Sequence, residues 1–143
     1  MRALADLLCK NAFPALKKLC IPRNPGIKDV GVVALADALG KATQTSLTHL
    51  NLASVNMGDE GIAALAYLVC EGHLEQLKVL YLSDNHDVSE QGIITLAQAI
   101  GTDKLAMLED FRMERLEPGK VTVLGVNAIT HAIVSGCSQL KSI

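Results

Sequence analysis

LKVLYLSDN, residues 77–85, alternates apolar and polar positions after an opening leucine and closes on an asparagine. In an extended chain Leu80 and Leu82 point to one face, Val79 and Tyr81 to the other, because strand side chains alternate. Beyond Asn85 the chain turns polar through His86, Asp87, Ser89 and Glu90, and GIITLAQAI then runs from Gly92 to Ile100. There Ile93, Leu96, Ala97 and Ile100 recur at helical spacing. A short strand, a polar corner and a helix are written into one phrase.

The phrase repeats. LKKLCIPRN starts at Leu16, LTHLNLASV at Leu47 and LEDFRMERL at Leu108, so successive starts lie 31, 30 and 31 residues apart. The helical half returns in register as GVVALADAL from Gly31, GIAALAYLV from Gly61 and GVNAITHAI from Gly125. Twelve residues separate each helix leucine from the next strand leucine: Leu35 from Leu47, Leu65 from Leu77, Leu96 from Leu108. The same spacing links Leu4 to Leu16, so ALADLL from Ala3 is the helix of an incomplete unit, and LKSI from Leu140 opens a fifth strand. The chain is therefore expected to form one domain over residues 1–143. A partial helical unit (1–15) leads into repeats 16–46, 47–76, 77–107 and 108–139, and a partial strand (140–143) follows. A fixed period of this length marks units that bury their apolar faces only by stacking. Parallel strands stack about 4.8 Å apart and helices about 8–10 Å, so the stack bends with its strands inside.

These residues resemble the leucine-rich-repeat family, in the longer, ribonuclease-inhibitor-like class shared by NOD-like receptors. Its L-x-x-L-x-L-x-x-N stretch is LKVLYLSDN here, its G-x-x-x-L-a-x-a-L helix is GIITLAQAI, and the resemblance covers essentially the whole chain. Val55 and Leu116 depart from the pattern where Asn24 and Asn85 keep it. The resemblance implies an α/β solenoid: a right-handed β-α superhelix with a curved parallel sheet inside, helices outside, and about four repeats plus partial ends. It implies a non-enzymatic protein-binding module, part of a larger receptor or scaffold. Ran GTPase-activating proteins resemble this repeat class too, so regulation of a small GTPase is the alternative, with Arg23 and Asn51 the first groups to examine. A third expectation is self-association, because bare solenoid ends expose sheet edges.

Composition narrows the classes. Half of the 143 residues are hydrophobic, yet only Phe13, Phe111, Tyr67 and Tyr81 are aromatic and Trp is absent, which favours small regular layers. A net charge of −2 and a pI near 6.0 argue against nucleic-acid and membrane partners. No apolar run reaches the ~18 residues of a span, and a cytoplasmic location is expected. Cys9, Cys20, Cys70 and Cys137 have no C-x-x-C spacing and are expected to be reduced, mostly buried thiols. Tyr67, at a helix phase, is expected to pack on the convex side.

The polar corner at 84–90 looks most like chemistry, and most of it has structural work. Asn85 and Asn24 share a phase at which an inward amide satisfies turn backbone. Asp29, Asp59 and Glu90 each stand two residues before a helix glycine, where negative charge favours a first turn. Ser89 and Thr122 are expected N-caps. Asp84, His86 and Asp87 remain, without the glycine and closing glutamate of a calcium loop or a second nearby histidine for zinc. GKAT at Gly40 lacks the upstream glycine, Leu35 standing there, and has Ala42 for the Ser/Thr of a phosphate loop. No catalytic residue, metal or cofactor is expected. The strand positions between the leucines face the concave surface. There Tyr81 and Arg112 are expected to be central contacts for a protein partner, ringed by Arg23, His49, Asn51, Asp84 and Glu114.

Overall fold

The computed structural model describes residues 6–7, 10, 15–42, 46–116, 119, 121–137 and 139–141. Four strands alternate with four helices: β1 (Lys18–Cys20), α1 (Lys28–Lys41), β2 (His49–Asn51), α2 (Asp59–Cys70), β3 (Val79–Tyr81), α3 (Glu90–Ile100), β4 (Asp110–Arg112) and α4 (Val123–Gly136). The strands pair in parallel in the order β1-β2-β3-β4. Leu19, Leu50, Leu80 and Phe111 stand opposite one another in the ladder, and all four are buried. Each three-residue strand thus buries its central residue against the helix layer, where Leu35, Leu65 and Leu96 meet it. The outer residues of each strand are left on the opposite face.

The first rung lies one residue after each opening leucine. Thr48 N–H donates to Lys17 C=O (2.7 Å), Lys78 N–H to Thr48 C=O (2.8 Å), Glu109 N–H to Lys78 C=O (2.8 Å) and Lys141 N–H to Glu109 C=O (2.7 Å). The last of these carries the register one step past β4, although Lys141 belongs to no strand; Ser142 and Ile143 lie outside the described residues. Most of the partial unit at 1–15, including Cys9, also lies outside them, although Asp6 and Leu7 are helical.

After each strand the chain enters its corner through a left-handed residue. Arg23 (φ 58°), Ser54 (57°), Asp84 (60°) and Arg115 (53°) occupy the same phase, and none is glycine. Left-handed backbone costs an L residue about 1–2 kcal/mol, so the corner's hydrogen bonds must offset it four times. Asn85 is the principal offset and the one buried polar side chain among the described residues. Its Nδ2 donates to Leu82 C=O (2.8 Å) in its own turn and to Leu52 C=O (3.0 Å) in the preceding one. Its Oδ1 accepts from Val55 N–H (3.1 Å) and Met57 N–H (3.2 Å). One amide therefore joins two consecutive turns. Among the described residues Asn24 makes only the local half, donating to Ile21 C=O and Pro22 C=O at 3.0 Å each, and is exposed.

The acid in the first turn of α1, α2 and α3 does more than meet its own dipole. Asp29 Oδ1 accepts from Gly58 N–H (2.7 Å) and Gly61 N–H (2.8 Å) of the next repeat. Asp59 accepts from Ser89 N–H (2.8 Å) and Ser89 Oγ (2.5 Å), and Glu90 Oε1 from the Thr122 hydroxyl and Gly125 N–H (3.1 Å). Each carboxylate thus satisfies orphan donors at the next helix's start. Ser89 and Thr122 also cap their own helices, accepting from Gln91 N–H and Leu124 N–H. Glycine is required because the carboxylate comes so close: a Cβ on Gly61 would stand 2.8 Å from Asp29 Oδ1, and one on Gly92 2.3 Å from Asp59 Oδ1.

Two expectations are corrected. Cys20 and Cys70 are exposed rather than buried: Cys20 falls at an outward strand position and Cys70 ends α2. Cys137 alone of the described thiols is buried, and that burial pushes its pKa up to about 11. Tyr67 does not pack on the convex side; it is 64 % exposed on α2, whose buried stripe runs through Leu65, Ala66, Leu68 and Val69. No helix among the described residues is long and apolar enough to cross a membrane.

Asn85→Ala strands buried groups in two turns and should cost about 3 kcal/mol, whereas Asn24→Ala should cost less than ~1 kcal/mol; urea unfolding midpoints measure both. Gly92→Ala, which in an open helix would stabilise by ~1 kcal/mol, should here destabilise by about 1–3 kcal/mol. In an Asp59→Ala background that cost should shrink, and the coupling is read from a double-mutant cycle.

Candidate functional site

Opposite the helices, the sheet presents two rows of side chains in register: Lys18, His49, Val79 and Asp110, then Cys20, Asn51, Tyr81 and Arg112. The outward positions are those the alternation leaves free, so the surface follows directly from burial of the leucines. Its best-built feature lies on β3 and β4. The Tyr81 hydroxyl donates to Asp110 Oδ2, Arg112 Nε donates to Asp110 Oδ1 (3.3 Å), and the Arg112 guanidinium carbon stands 4.9 Å from the Tyr81 ring centroid. Asp110 holds ring and cation together, and the stacking adds a cation–π attraction. Its hydrogen bond raises the phenol pKa above the ordinary tyrosine value, so Tyr81 stays a protonated donor at neutral pH. Arg112 keeps about half of its side chain in solvent, 51 %.

Tyr81 and Arg112 are thus brought together, with Glu114 near enough for its charge to favour the guanidinium. The residue that joins them, Asp110, was not among the expected contacts. Its signal was the pairing register: Val79 stands opposite Asp110, which puts the carboxylate diagonally beside Tyr81.

The other expected contacts lie around this cluster or away from it. Asp84 accepts from Ser54 Oγ (3.4 Å) and lies 3.6 Å from Arg115 Nε, a row built on the left-handed residues. Glu114 N–H donates to Ser83 Oγ (3.1 Å). Asn51 Oδ1 accepts from Ala53 N–H (3.0 Å), which ties its carbonyl to the local turn. His49 Nδ1 lies 2.9 Å from Thr48 Oγ1; burial, then Lys18 and Lys78, lower its pKa against the pull of Glu109, so the ring is neutral at pH 7. Arg23 is apart, lining an open cleft of about 650 Å³ with Ile21, Asn24, Ile27 and Val30 that shares no residue with the Tyr81 cluster.

Below the rows runs an ionic rung. Glu109 accepts from Lys78 Nζ (2.9 Å) and Lys141 Nζ (2.7 Å), one on each oxygen. The Lys141 and Lys78 hydrogen bonds hold its pKa down to about 2. The polar corner at 84–90 is part of the ladder, Asp87 bridging in parallel to Gly58. Among the described residues no group of three or more His, Cys, Asp or Glu side chains is placed to hold a metal ion.

A sequence model of the family described as Leucine Rich repeat matches residues 43–66, a stretch that takes in β2 and the first two thirds of α2. The chain has the fold of a leucine-rich-repeat solenoid. No curated protein matches it by sequence. Among solved structures, neighbours include leiomodin-1 actin-binding site 2, with a TM-score of 0.76 at 16 % identity over 97 % of this chain and 76 % of that one. The Caenorhabditis elegans tropomodulin C-terminal domain gives 0.78 at 15 % identity over 98 % and 78 %. At such identity the likeness is one of fold.

The Glu109 rung carries a pH signature. Its folded pKa lies below the usual 4.5, so its contribution is present above that pH and is lost as pH falls toward about 2. The stability difference between the parent protein and Glu109→Gln should close across that window and shrink with added salt. Urea titrations at stepped pH measure it.

Proposed function

We propose that this leucine-rich-repeat chain is a non-enzymatic protein-interaction module that binds its partner on the exposed sheet face, as part of a larger receptor or scaffold. The observation that carries the reading is the Tyr81–Asp110–Arg112 cluster. Tyrosine and arginine are the side chains most enriched where binding energy concentrates. Here each is held by a common carboxylate before any partner arrives, so less rotamer freedom is lost on binding. The 30–31-residue spacing, with a full helix in every repeat, supports the ribonuclease-inhibitor-like class. Exposed free thiols at Cys20 and Cys70 fit a reducing, cytoplasmic setting.

Actin is the first partner to test, because one structural neighbour is described as an actin-binding site. Regulation of a small GTPase has less support: the Asn51 carbonyl is engaged by its own turn, and Arg23 stands apart from the cluster. Cosedimentation with actin filaments and calorimetry with monomeric actin and small GTPases should identify binding. Tyr81→Ala and Arg112→Ala should each weaken it by about tenfold or more. Unchanged affinity in both variants would remove this face from the interaction, and accelerated GTP hydrolysis would favour the regulator instead.

A further inference from the structure

The net charge of −2 conceals a strong segregation. Residues 1–28 carry six Lys/Arg against a single acid, Asp6, whereas residues 29–143 carry seven against fourteen acids. The fold lays this asymmetry across the exposed sheet face. Lys17, Lys18 and Arg23, on or beside β1, are exposed, and no hydrogen bond or ion pair to an acid engages them among the described residues. Lys18 acts electrostatically on His49 of β2, which itself adds no negative charge. The β3–β4 half differs: Asp84, Glu109 and Asp110 are all matched internally, by Arg115, by Lys78 with Lys141, and by Arg112.

We propose that the β1–β2 half of this face binds an acidic segment of a protein partner, while the Tyr81–Asp110–Arg112 cluster takes up the segment's neighbouring surface. The inference rests on the sheet face being the binding face and adds the partner's chemistry to it. The cations stand at both ends of β1: Lys17 just before it, Lys18 its first residue, Arg23 beyond it. That is a run of about 15–20 Å at the rise of an extended chain. Carboxylates distributed along one segment laid beside β1 would meet all three. A polyanion of uniform sign gains nothing from continuing across β3 and β4, where the cations are already engaged by Asp84, Glu109 and Asp110. A protein can present acid to one half and a mixed or basic surface to the other. Because no ion pair engages these exposed cations among the described residues, a partner need break none of those pairs to reach them.

The test uses a fluorescent oligoglutamate peptide with the full chain, against oligoglutamine, oligothymidylate and phosphatidylserine vesicles. Oligoglutamate should bind at least about tenfold more tightly than oligoglutamine at low ionic strength and weaken steeply with salt. Its amide shifts should centre on β1 and β2. The Lys17→Glu/Lys18→Glu/Arg23→Glu variant should lose about tenfold or more, and the milder Lys18→Ala/Arg23→Ala pair should lose part of that. Lys104→Glu, at a salt bridge to Glu75 on the helix-side loops, should change little. Equal loss in Lys104→Glu, shifts away from β1 and β2, or tighter binding of oligothymidylate or vesicles would overturn the proposal. Concentration-dependent dimers that dissolve in the triple variant would reassign the site to the acidic half of a second copy. If oligoglutamate fails while Tyr81→Ala still weakens a protein partner, the interaction face stands and the acidic segment falls; if both fail, both fall.

Discussion

A carboxylate entering the first turn of the next repeat's helix is the constraint from which the solenoid's regularity follows. It answers the chief electrostatic problem of a helix start, unpaired N–H groups pointing into an interior corner, and it does so between repeats. The glycines at 61 and 92 follow directly, since any side chain there would occupy the carboxylate's place. So does the tight spacing, because the acid sits on one repeat and its donors on the next. At the third junction the loop from Leu116 to Gly125 is longer than its counterparts, and Glu90 replaces aspartate with one methylene more of reach. A Cβ on Gly125 would meet Glu90 at a relaxed 3.4 Å. The three junctions thus vary together in loop, acid and clearance.

On the opposite side of each corner, Asn85 performs the same kind of joining through the backbone. Where valine stands at this phase, at Val55, the side chain is fully buried in the core and the turn is carried by ladder bonds such as Lys28 N–H to Val55 C=O (2.9 Å). Amide and apolar residues are alternative answers to one position. The difference is where the polar groups of the turn find partners, and only the amide reaches into two repeats at once.

The repeat phase was fully legible, and with it the strands, the helices and the row of buried leucines, because one-dimensional periodicity maps directly onto a stacked fold. Tyr81 and Arg112 could be placed on one face from alternation alone. What could not be read locally was whatever depends on the neighbouring strand. Asp110 becomes the hub of the cluster only through its register with Val79. Asp29, Asp59 and Glu90 look from the sequence like residues serving their own helices, since the donors they satisfy lie about thirty positions away. Cys70 and Tyr67 were misplaced for a related reason: a helix phase tells inside from outside only once the edges of the buried stripe are known.

Net charge misleads in the same manner, because it sums over a dimension the fold then spreads out. A stack of repeats keeps sequence order as spatial order, so a basic first segment becomes a basic end of the exposed sheet face rather than being dispersed over a globule. The field along the face therefore has a direction even though the chain is nearly neutral. A partner with complementary polarity would be oriented before contact, and an acidic one would be drawn to the β1 end and find the charges of the other end already matched. In such a fold the order of charges along the chain is itself a recognition code, and its average carries almost none of that information.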